Sequence, residues 1–332
     1  MAAYHLSRRV AVLGAGSFGV AFAKVVAQNG HRVTLWARRK EIAEAICQNH
    51  CHPHKLRQVM LPRSIQATHD LEEALRDVDF VVSALPMLAL RIVFQKAQLF
   101  LPPQVKIVST TKGIEPESWK FPSQVLDEVL GVTFDKKTAF LSGPSFALEV
   151  AQDLPTALVV AAQTPEVCEQ VRQILQNQTL HLTASEDVTG LEVCGAFKNV
   201  VAIAAGLVEG LGLGTNAKAA LVTKGLQEIS QLAMAMGGKS QTVYGLGGIG
   251  DLILTCYGEL SRNRSVGLEL AAKKSLADIL STSAYVAEGV HTAKAVMILN
   301  KKFKLNLPVL QSVYQILFQS GNVEKMVKDV LN

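Results

Sequence analysis

From Val10 to about Ala184, short runs rich in Val, Ile, Leu and Thr alternate with stretches whose apolar residues recur at helical spacing. The first kind of run fits buried strands and the second amphipathic helices. Strands are expected near 9–13, 32–36, 65–68, 79–84, 104–110, 138–142, 156–161 and 179–183. Helices are expected near 17–29, 39–48, 70–76, 88–99, 123–130, 145–151 and 165–175. Such alternation predicts a mostly parallel sheet with helices on both faces. Residues 49–64 show no clear period. After Ala184 the strand signals stop. Asp187 to Gly210 reads as one long apolar helix with Glu186 and Asp187 at its acidic start, and helical patterns continue near 215–236, 247–256, 261–273, 289–299 and 308–318.

The first strand–helix junction carries a more specific signal. Val10-Ala-Val-Leu-Gly-Ala-Gly-Ser-Phe-Gly19 sets Gly14, Gly16 and Gly19 in the spacing G-x-G-x-x-G between an apolar strand and an apolar helix. Gly14 suits a tight turn, Gly16 a close approach of backbone to pyrophosphate, and Gly19 close packing of helix on strand. A helix starting at Ser17 aims N–H groups and its positive dipole end at the phosphates. The expected fold class is therefore α/β: a Rossmann-like doubly wound, mostly parallel sheet followed by an all-α C-terminal domain. Residues 1–187 would bind a dinucleotide and residues 188–332 would form a helical substrate-binding domain.

The second strand ends in Trp36-Ala-Arg-Arg39. Sites that prefer NAD usually carry Asp or Glu there, on the ribose 2′-hydroxyl. The guanidinium groups of Arg38 and Arg39 fit a 2′-phosphate instead, so NADP is expected beside NAD. The alternative is that both arginines open the next helix in solvent. Two later strand ends bring Ser83 and Lys112 to the same carboxyl rim, where ligands of open α/β sheets gather. In Leu141-Ser-Gly-Pro-Ser145, Pro144 suits a first helical position and a further anion-friendly helix start.

In the helical half, Gly195-Ala-Phe-Lys-Asn-Val-Val-Ala202 places Lys198 in an apolar stretch. Burial penalises the charged form and lowers the pKa, which suits a general acid/base for a carbonyl–alcohol interconversion. The other reading is a lysine that snorkels to the surface. Asp251 and Thr255, four residues apart, share a helical face. Asp251 either orients Lys198 or serves as a first-turn carboxylate on its own helix. Ser261-Arg-Asn-Arg264 reads as a helix start capped by Ser261. It makes either a phosphate pocket of two arginines, an amide and backbone N–H groups, or a solvated basic helix end.

Composition narrows the classes. At 332 residues the chain is long enough for two cores. Its 33 basic and 28 acidic residues leave a net charge of +5, too small and scattered to argue for nucleic acid. That surplus suits an anionic small substrate or simply a mildly basic protein. Five sparse cysteines fit a reducing compartment, hence the cytoplasm. Cys47 and Cys51 lie beside His50, His52 and His54, but their spacing matches no zinc pattern, so a polar surface connection is expected and no metal. Ser7-Arg8-Arg9 resembles a twin-arginine signal, yet cleavage after Ala21-Phe-Ala23 would destroy the glycine motif. No uninterrupted apolar stretch approaches the roughly 18 residues of a membrane span.

Several of these segments together resemble the NAD(P)-dependent sn-glycerol-3-phosphate dehydrogenases, most of all the bacterial form. They are Gly14–Gly19, Thr111-Lys-Gly-Ile-Glu115, Leu141–Phe146, Phe197–Ala202, Gly206–Gly225, Gly250-Asp-Leu-Ile-Leu-Thr-Cys256 and Ser261–Arg264, in family order over nearly the whole chain. The resemblance implies reversible reduction of dihydroxyacetone phosphate to sn-glycerol 3-phosphate by NADPH or NADH, feeding glycerophospholipid synthesis. It implies Lys198 as proton donor/acceptor, with Asp251 and Lys112 in the catalytic set. Lys112, Gly143, Ser145, Asp251, Ser261, Arg262 and Asn263 would contact substrate, joined by Thr255 on the face of Asp251. Ser17, Phe18, His31, Arg38, Lys112, Ala147, Arg262, Val286 and Glu288 would contact cofactor. A homodimer without stable membrane insertion is expected.

Some positions depart from the family pattern. Phe197 stands where an aliphatic residue is usual, Tyr257-Gly258 replaces small hydroxyl residues, and Thr215 takes a place associated with Asp. The Cys/His-rich loop at 47–58 fits poorly. Two rival functions are a reductase of another small ketone or ketoacid, which would lack the Ser-Arg-Asn-Arg run, and a non-catalytic NAD(P)H sensor, against which Lys198 and Asp251 speak.

Overall fold

The computed structural model describes residues 7–282, 287–319, 321 and 323. The chain divides into two compact units. The first comprises Met1–Thr111, Pro122–Leu141 and Ser145–Val188; the second comprises Lys112–Phe121, Ser142–Pro144 and Thr189–Asn332.

The first unit is built on eight strands: β1 (Arg9–Leu13), β2 (Arg32–Trp36), β3 (Gln66–Thr68), β4 (Phe80–Ser83), β5 (Lys106–Ser109), β6 (Thr138–Ser142), β7 (Thr156–Ala162) and β8 (Leu180–Ser185). The helices between them are α1 (Ser17–Gln28), α2 (Lys40–Asn49), α3 (Leu71–Leu75), α4 (Met87–Ala97), α5 (Pro122–Leu130), α6 (Val132–Asp135), α7 (Ala147–Ala151) and α8 (Pro165–Leu175). The sheet order is β3-β2-β1-β4-β5-β6-β7-β8. Pairing is parallel between β1 and β2, β1 and β4, β2 and β3, β4 and β5, β5 and β6, and β7 and β8. The near-continuous apolar runs have their cause here, because a parallel sheet is covered on both faces. Val10, Ala11, Val12 and Leu13 of β1 are all essentially inaccessible.

The order reverses between β1 and β4, and open sheets of this kind bind ligands at that crevice, beyond the strands' carboxyl ends. The glycine loop leaves β1 at this point. The N–H of Gly14 donates to the Trp36 carbonyl at 3.0 Å, which ties the loop to the end of β2.

The second unit is helical. Its helices are α9 (Val188–Gly210), α10 (Gly214–Ala235), α11 (Ser240–Val243), α12 (Asp251–Tyr257), α13 (Arg262–Ala271), α14 (Leu276–Thr282), α15 (Glu288–Phe303) and α16 (Pro308–Phe318). A π-turn over Leu246–Gly250 leads into α12. By length and composition α9 could cross a membrane, but 94% of its most apolar window is buried inside the protein. Its apolar surface is the centre of this unit's core, where Val193, Ala196, Phe197, Val200, Val201 and Ile203 are fully enclosed. Gly206 on α9 and Gly267 on α13 let the two helices touch backbone to backbone. A Cβ at Gly206 would come 2.1 Å from the Arg264 carbonyl oxygen, and one at Gly267 2.1 Å from that of Ile203.

Two local expectations need correction. Pro144 does not begin a helix: α7 starts at Ala147, with Phe146 as its extended N-cap. The loop after α2 is not merely a polar surface connection, because His52 within it is only 2% exposed.

Candidate active site

In the first unit the glycine loop has the shape its spacing predicts. Gly14 sits at φ +103°, and a Cβ there would lie 2.9 Å from the Ala84 carbonyl oxygen. A Cβ at Gly19 would come 1.7 Å from the Gly14 carbonyl oxygen, so only glycine lets α1 start this close to β1. Gly16 differs: a Cβ there would meet nothing within 4 Å. No side chain caps α1, and its first turn holds no acidic residue. Open space, helix N–H groups and no competing anion fit the pyrophosphate of a dinucleotide. Ser17 opens α1, while Phe18 lies half-buried with its ring 6.0 Å from that of Phe22.

Arg38 and Arg39 follow β2 at this rim and both are exposed. Arg39 pairs loosely with Glu41 at 3.5 Å. His31 is a correction. It precedes Arg32, whose register partner is Arg9, so it lies at the opposite, amino edge of the sheet. A five-residue strand separates the two edges by roughly 16 Å at about 3.3 Å per residue. The His31 Nδ1 accepts the Arg8 N–H at 3.3 Å, and its Nε2 lies 3.5 Å from the Gln173 carbonyl. A cavity of about 490 Å³ opens at that amino edge, lined by His31, Asp77, Asp79 and Lys106, away from the glycine loop. It offers the dinucleotide no glycine-rich helix start.

In the second unit a buried ionic cluster joins three chain segments. Lys198, from the middle of α9, is 7% exposed, and Asp251 at the start of α12 is 1% exposed. The Lys198 Nζ donates to Asp251 Oδ1 at 2.5 Å and to Thr255 Oγ1 at 2.8 Å. Lys112 Nζ donates to Asp251 Oδ2 at 2.7 Å, and the Ser142 hydroxyl reaches the same oxygen at 3.3 Å. Thr255 in turn donates to the Asp251 carbonyl, one helical turn back, at 2.6 Å. Lys198 therefore does not snorkel, and Asp251 is not a solvated helix-end carboxylate.

Charge and burial set the protonation behaviour. Burial lowers the Lys198 pKa from 10.5 to about 8; Asp251 opposes that fall and Lys112 adds to it. For Asp251, burial opposes ionisation, but the ammonium groups of Lys112 and Lys198 prevail and hold its carboxyl below the usual range. Two ammonium groups share one carboxylate, leaving one positive charge for an anionic or developing alkoxide oxygen. The arrangement can hold an oxygen substituent and exchange a proton with it.

Beside the cluster, α13 starts with Ser261 as its cap, accepting the Arg264 N–H at 3.3 Å. Asn263 Nδ2 donates to Asn199 Oδ1 at 2.8 Å, and Asn263 Oδ1 accepts the Gly289 N–H at 3.0 Å. Asn199 follows Lys198 on α9, so these contacts fix the α13 start against the lysine's own helix. Arg262 is exposed. Arg264 does not belong to an anion pocket: its guanidinium forks onto both carboxylate oxygens of Glu209, which Lys218 also holds at 2.6 Å. The Arg264 hydrogen bond above all, joined by Lys218, brings Glu209 down to about 2 against the opposing effect of burial.

Of the other expected positions, Gly143 lies in the second unit and Ser145 in the first, on the turn between β6 and α7. Ala147 opens α7 and is buried. Glu288 opens α15, its Oε2 3.2 Å from where a Cβ on Gly113 would lie. Val286 lies outside the described residues. Sequence reasoning missed Ser142 as a partner of Asp251, and Asn199 as the bridge to Asn263. Both sit in segments already singled out, and their polar side chains among buried neighbours were the available signal. Among the described residues, no three His, Cys, Asp or Glu side chains gather as metal ligands.

Residues 9–168 match the family described as NAD-dependent glycerol-3-phosphate dehydrogenase N-terminus, and residues 187–328 match its C-terminus. The glycerol-3-phosphate dehydrogenase [NAD(P)+] of Myxococcus xanthus is 43% identical over 97% of this chain and 96% of its own. The crystal structure of glycerol-3-phosphate dehydrogenase from Coxiella burnetii superposes with a TM-score of 0.92 at 32% identity, covering 98% of this chain and 99% of that one. A ketopantoate reductase from Ralstonia eutropha JMP134 shares the fold alone, at 14% identity and a TM-score of 0.59 over 98% of this chain and 100% of that one. The chain belongs to the NAD-dependent glycerol-3-phosphate dehydrogenase family.

Proposed function

We propose that this chain reversibly reduces dihydroxyacetone phosphate to sn-glycerol 3-phosphate with NADPH or NADH. The carrying observation is Lys198, enclosed in the core of the helical unit with Asp251 and Thr255 as partners. When bound, the nicotinamide cofactor supplies or accepts the hydride. The chain's own part in the chemistry is the proton: Lys198 gives one to the ketone oxygen in reduction and takes one from the alcohol in oxidation. Asp251 holds the ammonium in place and Lys112 keeps its pKa from rising. In this reading Lys112, Gly143, Ser145 and Thr255 contact the three-carbon substrate. Ser261, Arg262 and Asn263 hold its phosphate, a remote group whose binding raises the effective concentration of the carbonyl at Lys198.

Gly14, Gly16, Ser17, Phe18 and Gly19 would cradle the dinucleotide, with Arg38 and Arg39 accepting a 2′-phosphate. The division of labour follows the two units, one for dinucleotide and one for substrate. The enzyme would work in the cytoplasm as a homodimer and supply a precursor of glycerophospholipids. The test is NADPH and NADH oxidation with dihydroxyacetone phosphate beside phosphate-free ketoacids. Turnover specific for the phosphorylated ketone is expected; turnover of ketoacids alone, or of neither, would overturn the proposal.

A further inference from the structure

Lys198 and Glu209 stand eleven residues apart on α9, close to three full turns, so they face the same side of the helix roughly 16 Å apart. The helix α13 runs along that side. Asn263 reaches Asn199 at its start, Gly267 lies against Ile203 in its middle, and Ala271 lies against Gly210 at its end. Glycine lets the two backbones touch but offers no side chain to interlock, so this contact alone does not fix how far α13 has slid along α9. A partly buried ionic group supplies what is missing. Arg264 Nε donates to Glu209 Oε2 at 2.8 Å and its Nη2 donates to Oε1, a two-point fork with a fixed direction. Lys218 on α10 donates to Oε2 at 2.6 Å, and its ammonium lies 4.3 Å from the centre of the Tyr257 ring at the end of α12. The tyrosine that departs from the family pattern thus covers the cation that holds the carboxylate.

We propose that Glu209 is a positioning residue for the substrate: by holding Arg264 in a fork it sets the start of α13, with Ser261, Arg262 and Asn263, at a fixed distance along α9 from Lys198. This role rests on the reading of that helix start as the phosphate site. Arg264 is the third residue of α13, and its N–H donates to the Ser261 cap at 3.3 Å. Side chain and backbone of one residue therefore tie the carboxylate to the turn that would hold the phosphate. Lys198 and Glu209 belong to one continuous helix of 23 residues, so the proton-transferring group and the α13 tie share a single rigid support. A three-carbon phosphate has to meet both ends at once, and a small misplacement of either lowers the fraction bound in reach of Lys198. The fork is also suited to constant service. With its carboxyl held down at about 2, chiefly by the Arg264 hydrogen bond, Glu209 keeps its charge throughout the range in which Lys198 titrates near 8. Three turns away, it takes no part in the Lys198 cluster itself.

Two variants test the fork. Glu209→Gln keeps the side chain's shape but turns a donor toward one of the two guanidinium nitrogens. Arg264→Lys keeps the charge but replaces the fork by a single contact. Steady-state reduction of dihydroxyacetone phosphate is followed across pH, with the melting temperature of each protein measured alongside. Glu209→Gln should raise the KM for dihydroxyacetone phosphate about tenfold and keep kcat within about threefold of wild type. The midpoint of its kcat profile should stay near pH 8, where burial places Lys198. Arg264→Lys should raise the same KM by about threefold. A role in stability alone would lower the melting temperature and leave KM untouched. A folded Glu209→Gln protein with wild-type KM overturns the inference, as does a large loss of kcat with a shifted midpoint, which would put the damage at Lys198. If Glu209→Gln does not fold, Arg264→Lys decides: a raised KM supports the role and a wild-type KM overturns it. Wild-type protein that does not turn over dihydroxyacetone phosphate would break the reading of the site itself, whereas wild-type turnover with unchanged KM in the variants would break only the positioning role.

Discussion

The two units prepare their chemistry by opposite means. At the glycine loop the protein contributes backbone and empty space: a Cβ at Gly16 would touch nothing within 4 Å, and no side chain caps the helix beyond it. Around Lys198 it contributes side chains and crowding: the lysine is 7% exposed, its carboxylate partner 1%, and every polar atom between them is engaged. A ligand at the first place meets dipoles that need no counter-charge. A ligand at the second meets charges that have already been desolvated and paired. Substitutions should therefore fail in different ways: by obstructing or misdirecting binding at the loop, and by stopping the reaction at the cluster.

The largest expected effect tests the crowded end. Lys198→Met should lower kcat for ketone reduction by about 10²–10⁴-fold while leaving the NADPH Kd near wild type. A matching loss of cofactor affinity would dissolve the contrast between the two regions.

Next comes a pair of glycines only three residues apart in sequence, Gly16 and Gly19. Gly19→Ala drives a Cβ to 1.7 Å from the Gly14 carbonyl and should cost about 3 kcal/mol of stability in denaturant unfolding. Gly16→Ala meets no protein atom and has an ordinary backbone at φ −75°, so its melting temperature should hold or rise slightly. Its NADPH affinity should still fall about tenfold, because the space is needed by the ligand. Equal melting temperatures in the two variants would contradict the assigned contacts.

The pH profile sharpens the comparison further. In the proposed role of Lys198, reduction uses its ammonium form, which is present below its pKa of about 8, so kcat for reduction should fall as pH rises through that region. Oxidation of the alcohol needs the neutral amine and should rise through the same region. Since Lys112 is one cause of the lowered pKa, Lys112→Met should move both midpoints upward. A wild-type midpoint near the ordinary lysine value would show that burial does not govern the group. The smallest effect belongs to the exposed Arg38. Arg38→Ala should raise the KM for NADPH by about tenfold and leave that for NADH unchanged, reflecting one lost charge-assisted contact.

How much of this was legible in the sequence follows the range of the forces involved. Seven of the eight strands carry enough buried β-branched and aliphatic residues to announce themselves, β3 having only Thr68 buried, and the longer helices show their period. The four-residue helices α6 and α11 and the seven-residue α14 span too few turns to show one. The π-turn over Leu246–Gly250 falls within the helix expected at 247–256, because an apolar period does not distinguish its wider winding from an α-helix. Lys198 and Asp251 stood out as charges among apolar neighbours, but their partnership with Lys112 joins residues 139 apart, which no local pattern encodes. Arg264 looked like an anion ligand because its distant partner, Glu209, was invisible along the chain. His31 was misplaced for a simpler reason: nearness to a strand does not say which end of the strand matters. His52 reads as part of a solvated loop because the burial of a loop depends on what packs over it.

The second unit takes Lys112–Phe121 and Ser142–Pro144 from within the span of chain that otherwise makes the sheet. This interleaving has a consequence in time. A ribosome adding about 5–20 residues per second releases Lys112 roughly ten seconds before the 139 residues leading to Asp251 have been made. Until then the lysine has no carboxylate, and the segment carrying it belongs to a unit that does not yet exist. The charged cluster therefore cannot be completed until Asp251 has been made, however early the strands before Lys112 have come off the ribosome.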